Sequence, residues 1–137
     1  MSDTEPHTGI WRLNVSKSKA SDPGVVPRSE TLRTEALESG LQSTFDFEGP
    51  DGKAHHTVWS VNYDGKDHVT TGDLLADTVA TTKIDANTLL FVNKRGGKEV
   101  AKWRSTVSKD GKIQTWTGDG RRPNGQTFSA PWVYEKE

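Results

Sequence analysis

Closely spaced turn signals constrain the fold of this chain more than any other feature of its sequence. Most contain an Asp-Gly, Asn-Gly or Gly-Gly pair, which adopts positive φ angles easily and favours tight hairpins. They follow one another at intervals of roughly 8–15 residues, so each interval leaves room for one strand. The signals are Glu38-Ser39-Gly40, Pro50-Asp51-Gly52-Lys53, Asp64-Gly65, Thr71-Gly72-Asp73, Asp85-Ala86-Asn87, Gly96-Gly97, Asp110-Gly111 and Pro123-Asn124-Gly125.

The segments between these turns are rich in Thr, Val, Trp and Phe, which are residues that favour strands. No window of about 11 residues shows the 3.6-residue period of an amphipathic helix. We therefore predict about ten strands. They lie near residues 9–15, 29–37, 41–48, 55–63, 67–71, 77–84, 88–94, 99–108, 112–119 and 126–135.

Consecutive strands with short turns form an antiparallel meander, and a flat meander exposes two unpaired edges. Closing the sheet into a barrel removes both edges. The predicted fold is therefore an all-β, up-and-down antiparallel barrel of about 8–10 strands. A two-sheet sandwich is the alternative. The length of 137 residues suits a single domain, which we expect over residues 9–137 after a flexible N-terminus at residues 1–8.

The composition argues against several classes of protein. Lys and Arg total 18 and Asp and Glu total 19, so the net charge of −1 offers no basic surface for nucleic acid. The sequence contains no apolar stretch of about 18 residues, so no membrane-spanning helix is predicted. Cysteine is absent, which excludes disulfides and thiolate chemistry. The start, MSDTEPHTG, lacks the apolar segment of a signal peptide. We expect a cytoplasmic location for the chain as written, and a periplasmic or secreted one if a leader has been removed.

Counting outward from the turns predicts which side chains share a face. A two-residue turn at Asp110-Gly111 sets Trp103 opposite Gly118 and Ser105 opposite Trp116, so the indoles of Trp103 and Trp116 become diagonal neighbours. The same counting at Asp64-Gly65 sets Trp59 opposite Thr70 and Val61 opposite His68. Trp59 and His68 should therefore face the same side of the sheet.

The Gly96-Gly97 turn conflicts with this pattern. A two-residue turn there pairs Leu90 with Trp103 and leaves Leu89 and Phe91 on the face of Arg104. Both apolar sets can point inward only if a β-bulge or a three-residue loop shifts the register. The facing of Lys102 and Arg104 therefore stays open at the level of sequence.

The first strand opens with Gly9-Ile10-Trp11, and a meander that starts in this way resembles the lipocalin and fatty-acid-binding (calycin) group. The segments GIWRLNVSKSK, NYDGKDHVTTGD, ADTVATTKIDANT, VSKDGK and NGQTF…VYEKE look like those of a family of small lipocalin-like bacterial proteins. The resemblance covers nearly the whole chain. It implies a barrel whose end is closed by Trp11, with a basic residue from a late strand over the indole. Arg104, Arg121 and Arg122 compete for that place.

The remaining aromatic residues predict the function. Their presumed neighbours on the inner face are small or polar, such as Thr57, Thr70 and Ser105, and large rings beside small residues are typical of a lined cavity. We predict a small-molecule binding barrel, monomeric or weakly dimeric, that holds a hydrophobic and preferably aromatic ligand without a cofactor. The predicted ligand-binding residues are Phe45, Trp59, Tyr63, His68, Phe91, Trp103, Trp116 and Trp132.

Two other functions are compatible with the same residues. A small cofactor-free enzyme of hydrolase or isomerase type could use His68 or His56 as general base and Arg104 as oxyanion stabiliser. A barrel filled by its own side chains would bind nothing. No metal site is predicted, because His55 and His56 are adjacent in a strand and point to opposite faces. His7 is expected within the flexible terminus.

Overall fold

The structure is a computed structural model, and it describes residues 6–18, 27–38, 40–49, 51–72, 76–121, 125, 127–129 and 131–137. The chain is all-β, with one 3₁₀ turn at Val15–Lys17. The strands are β1 (Gly9–Leu13), β2 (Ser29–Ala36), β3 (Gly40–Glu48), β4 (Ala54–Asn62), β5 (Asp67–Thr71), β6 (Thr78–Asp85), β7 (Thr88–Arg95), β8 (Lys98–Val107), β9 (Ile113–Arg121), β10 (Thr127–Ser129) and β11 (Trp132–Lys136).

The sheet closes on itself. Each strand from β1 to β9 pairs with the next, and β11 pairs with both β9 and β1. β10 pairs with the last residues of β9 and β11 with the first, so the two short strands occupy one position in the wall. The result is a barrel of ten antiparallel strands, which confirms the predicted fold class. The predicted strand 126–135 is interrupted at Pro131, which cannot donate a backbone hydrogen bond.

Alternation between buried and exposed residues gives the wall its two faces. In β8, Ala101, Trp103 and Ser105 are buried, whereas Lys102 and Arg104 are exposed. Because successive side chains of a strand point to opposite faces, the buried set lines the barrel interior. The hairpin registers predicted from the turns are confirmed: Trp103 pairs with Gly118, Ser105 with Trp116, and Trp59 with Thr70.

A β-bulge resolves the conflict at the Gly96-Gly97 hairpin. The register shifts after Asn93, so that Phe91 pairs with Trp103 instead of Leu90. Phe91 and Trp103 then both face inward, and Arg104, opposite Leu90, lies on the outer wall. The sequence requirement for a bulge or longer loop is confirmed, and the facing of Lys102 and Arg104 is decided.

Alternate turns of a meander lie at the same end of the barrel. The β2–β3, β4–β5, β6–β7 and β8–β9 turns share one end with the start of β1, where Gly9 pairs with Thr34 near the end of β2. We call this the Trp11 end. The β3–β4, β5–β6 and β7–β8 turns share the opposite end, which we call the far end.

The N-terminal segment contacts the barrel at His7. This residue is 2% exposed and lies in the Trp11 end beside Ser105, and the flexible N-terminus expected at residues 1–8 stays a prediction. Residues 1–5 of that predicted segment lie outside the described residues. Within the described part of the chain, no helix has the length and apolar character needed to cross a membrane.

Candidate ligand-binding site

Trp11 closes one end of the barrel. Its indole is fully buried, and its Nε1 donates a hydrogen bond of 3.0 Å to the carbonyl oxygen of His7. The Nζ of Lys136 lies 5.4 Å from the centre of the ring, within the range of a cation–π contact. Both ends of the described chain therefore contact Trp11. His7, near the N-terminus, accepts its hydrogen bond, and Lys136, near the C-terminus, lies over its ring.

Gly9 makes room for this contact. Its φ of +123° is a conformation that L side chains rarely adopt, and a Cβ at this position would lie 2.8 Å from Cε of Lys136. The Lys136 side chain thus passes over Gly9 to reach the indole two residues further on. This explains the Gly-x-Trp pattern and corrects one expectation. The cation over the indole is Lys136, whereas Arg104 lies on the outer wall and Arg122 lies outside the described residues.

A buried polar chain extends from the Trp11 end toward the middle of the barrel. Ser105 Oγ donates to Gln114 Oε1 over 3.0 Å, and Trp116 Nε1 donates to the same oxygen over 2.6 Å. His7 Nε2 lies 3.0 Å from Ser105 Oγ. Because the single Ser105 proton is used on Gln114, His7 Nε2 carries the proton of that bond. Bonds of this kind fix the orientation of the buried side chains.

Six of the predicted ligand-binding residues form one contiguous group in the interior. We call them the aromatic cluster: Phe45, Trp59, Phe91, Trp103, Trp116 and Trp132. Trp116 lies at the centre and stacks on Phe91 with ring centres 4.9 Å apart and planes 4° from parallel. Trp103 meets Trp132 edge to face at 5.5 Å, and Phe45 meets Trp59 at 4.8 Å. Offset and edge-to-face contacts of this kind are the favoured arrangements of aromatic pairs.

The aromatic cluster keeps a small accessible surface. Trp103 and Trp132 are each 9% exposed and Phe45 is 8% exposed, although all three side chains belong to the inward-facing set. Trp11 and Leu89, which are also inward-facing, have no exposed surface.

The polar groups next to the cluster include one that sequence reasoning missed. Tyr134 Oη donates a hydrogen bond to Glu30 Oε2, and the Tyr134 ring lies 6.4 Å from that of Trp116. Burial raises the pKa of Glu30 to about 7, and burial also raises the pKa of Tyr134. The signal was present in β2, where Glu30 has the same parity as the buried residues Leu32 and Thr34.

Asn93 contributes a second polar group. Its Oδ1 accepts a 2.9 Å hydrogen bond from Trp103 Nε1, which fixes the orientation of the amide. Its Nδ2 is buried and has no hydrogen-bond partner among the described residues. An unpaired buried donor costs roughly 1–3 kcal/mol, so this amide is held in place by the packing around it.

Tyr63 and His68 are only partly buried, and Tyr63 packs against the edge of the core. They flank the β4–β5 turn, which belongs to the Trp11 end. His68 Nε2 lies 3.1 Å from Asp64 Oδ1, and Tyr63 has Lys83 Nζ 5.1 Å from its ring centre. His68 shares the inner face with Trp59, as predicted from the hairpin. It lies at the rim of the barrel, where it contacts Asp64 of the β4–β5 turn.

The groups of the predicted enzyme are not brought together. His56 is exposed and pairs across the strands with Asp46 on the outer wall. Arg104 is also on the outer wall, and only His68 has the inward parity. The wall of the barrel separates the two outer residues from the interior. His55 points inward and stacks on Phe47 at 5.0 Å.

An open groove of about 500 Å³ lies where β8, β9 and β10 meet. Side chains of both charge signs line it, among them Glu99, Lys102, Asp119 and Arg121. Lys102 Nζ lies 4.0 Å from Glu99 Oε1. This polar groove is unlike the interior, where the aromatic rings lie.

No family model and no curated protein matches the chain.

Proposed function

We propose that the protein is a calycin-type barrel that binds a small hydrophobic molecule, aromatic in preference, against the aromatic cluster. One observation carries the proposal. Trp103, Trp132 and Phe45 of the aromatic cluster are 8–9% exposed, whereas Trp11 and Leu89 at the Trp11 end have no exposed surface. A barrel of this size has room for one small ligand.

The chemistry of the cluster favours a flat guest. Stacking against an aromatic ring adds ~0.5–1.5 kcal/mol per pair beyond the burial of area. An aromatic guest that buries ~150–250 Å² gains both terms, and an alkyl chain of equal area gains only the burial. Trp103 and Trp132, at right angles to each other, would present one face and one edge to such a guest.

The proposal is tested by titrating the protein with naphthalene derivatives and with alkyl compounds of matched area. Binding is followed by quenching of tryptophan fluorescence and by calorimetry. We expect saturable binding of the aromatic series, with a midpoint in the micromolar range or below for a good ligand, and weaker binding of the alkyl series. Thr57, which is inward-facing and pairs with Phe45, offers a blocking variant, Thr57→Phe.

Val69→Phe is the matched control, because Val69 is 76% exposed on the outer wall. Thr57→Phe should abolish binding and Val69→Phe should leave it unchanged, with both variants showing the wild-type β spectrum. If neither series binds to the wild-type protein, the interior is filled by its own side chains and the proposal fails.

A further inference from the structure

The carboxyl group of Glu30 is placed unusually for a barrel interior. It belongs to the inward-facing set of β2, and Tyr134 Oη is its hydrogen-bond donor. Among the described residues, no Lys, Arg or His forms an ion pair with it. A buried carboxylate normally has a cation or several donors to compensate its charge. Here one hydroxyl serves that purpose.

Two aromatic residues, Phe47 and Tyr134, are neighbours of Glu30. Phe47 pairs with Glu30 across β2 and β3, and Phe47 in turn stacks on His55. Tyr134 links Glu30 to Trp116 at the centre of the aromatic cluster. Glu30 keeps some exposed surface on this inward face, beside Phe47 and Tyr134.

We propose that the ligand is an organic amine, whose ammonium group binds the Glu30 carboxylate while its flat apolar part lies on the aromatic cluster. This inference rests on the proposed function and specifies its ligand class. An ammonium group supplies the positive charge that no ion pair among the described residues gives Glu30, and it donates a charge-assisted hydrogen bond. The faces of the surrounding rings also attract a cation.

The charge of the site disfavours the other ligand classes. A carboxylate ligand would meet Glu30 as a like charge, and His55, the basic group stacked on Phe47, pairs with Asp51 and not with Glu30. A neutral alcohol can donate to Glu30, but neutral hydrogen bonds are weaker than charge-assisted ones. The raised pKa of Glu30 agrees with this description, because it reflects burial of the carboxylate without a cation.

The test uses three probes that share one ring and a similar length: phenethylamine, phenethyl alcohol and hydrocinnamate. Each is also used with a naphthyl ring in place of phenyl. Binding to the full chain is measured by calorimetry at a pH above the Glu30 pKa. We expect each amine to bind at least about tenfold more tightly than the matching alcohol, and the carboxylate to bind most weakly.

Glu30→Gln is the variant that removes the charge at nearly constant shape. It should bring the affinity for the amine down to that for the alcohol and change the alcohol affinity by less than about threefold. Glu35→Gln is the matched control, because Glu35 is exposed on the outer face of the same strand. It should leave all three affinities unchanged.

The outcomes separate the two proposals. If alcohol and amine bind the wild-type chain equally, or if Glu30→Gln keeps the amine preference, the amine inference fails while the binding barrel stands. If none of the probes binds, the proposed function fails and the inference fails with it. The wild-type probe series decides the inference even if Glu30→Gln does not fold.

Discussion

The two halves of the barrel interior use the same kind of side chain in different ways. At the Trp11 end, the indole of Trp11 has no exposed surface, its nitrogen donates to a backbone carbonyl, and a cation lies on its face. In the aromatic cluster, Trp103 and Trp132 contact mainly other rings and remain 9% exposed. Trp11 closes the barrel and is fully buried, whereas Trp103 and Trp132 line the interior and keep some accessible surface.

The polar groups follow the same division. Around the Trp11 end, His7, Ser105 and Gln114 are linked to one another by hydrogen bonds and are almost fully buried. Beside the aromatic cluster, Glu30 has one hydroxyl donor and a raised pKa. Hydrogen bonds orient the first set, although Gln114 Nε2 has no partner among the described residues. The under-compensated charge of Glu30 is a place where a ligand can add stability.

The largest expected effect breaks the Trp11 end. Trp11→Ala should destabilise the protein by ~3–5 kcal/mol, because it removes a fully buried indole and leaves a cavity. Trp132→Ala should cost somewhat less, by roughly 0.5 kcal/mol, because 9% of its surface is already accessible. Urea unfolding of both variants measures the difference. Equal losses would show that the two regions do not differ in packing.

The second prediction concerns the glycine before the indole. Gly9→Ala should cost about 2–3 kcal/mol, because alanine is strained at a φ of +123° and its Cβ displaces the Lys136 side chain from the indole. Gly96→Ala is the control, since Gly96 also has a positive φ but has open space at its Cβ position. It should cost only about 1 kcal/mol in the same denaturant experiment.

The third prediction tests the under-compensated carboxyl group through pH. The pKa of Glu30 is raised from 4.5 to about 7 in the folded protein, so the folded state holds a proton that the unfolded state releases. Stability from this group is fully present below about pH 4.5 and is lost as the pH rises toward 7. We expect a loss of about 1–2 kcal/mol, less than the full shift because Glu30 is partly exposed.

Glu30→Gln should remove this loss, so the difference in unfolding free energy between wild type and variant should change across that pH range. The pKa values of Asp51, Asp64 and Asp110 are lowered, so these groups stabilise the folded state above the usual pKa of an aspartate and lose that contribution as the pH falls below it. Their effect therefore lies outside the range in which Glu30 titrates. A pH-independent difference would mean that Glu30 titrates normally in the folded barrel.

The smallest expected effect concerns the cation at the Trp11 end. Lys136→Met keeps the aliphatic chain and should cost ~0.5–1 kcal/mol, the usual size of a cation–π contact near the surface. In the Gly9→Ala background the same substitution should cost less, because the lysine has already been displaced. A double-mutant cycle measures this coupling, and additive costs would indicate that Gly9 does not position Lys136.

The sequence alone determined the local features of the barrel. Gly-containing turns set the strand boundaries, because positive φ angles at Gly65 and Gly111 fix where the chain reverses. The period-2 pattern set which side chains share a face, as the pairing of Trp103 with Gly118 confirms. The sequence also showed that Phe91 and Trp103 can both face inward only with a β-bulge or a longer loop, and the structure has a bulge near Asn93.

Only the tertiary structure decided which distant residues meet. His7 and Ser105 are 98 positions apart, and Glu30 and Tyr134 are 104 apart, yet each pair forms a buried or partly buried contact. Lys136 reaches Trp11 because β11 closes the barrel against β1. Turn chemistry and periodicity act over a few residues, whereas the register at which the last strand meets the first depends on every strand between them. Local rules therefore predicted which side chains face inward. Closure of the sheet determined the contact of Trp11 with Lys136 and that of Glu30 with Tyr134.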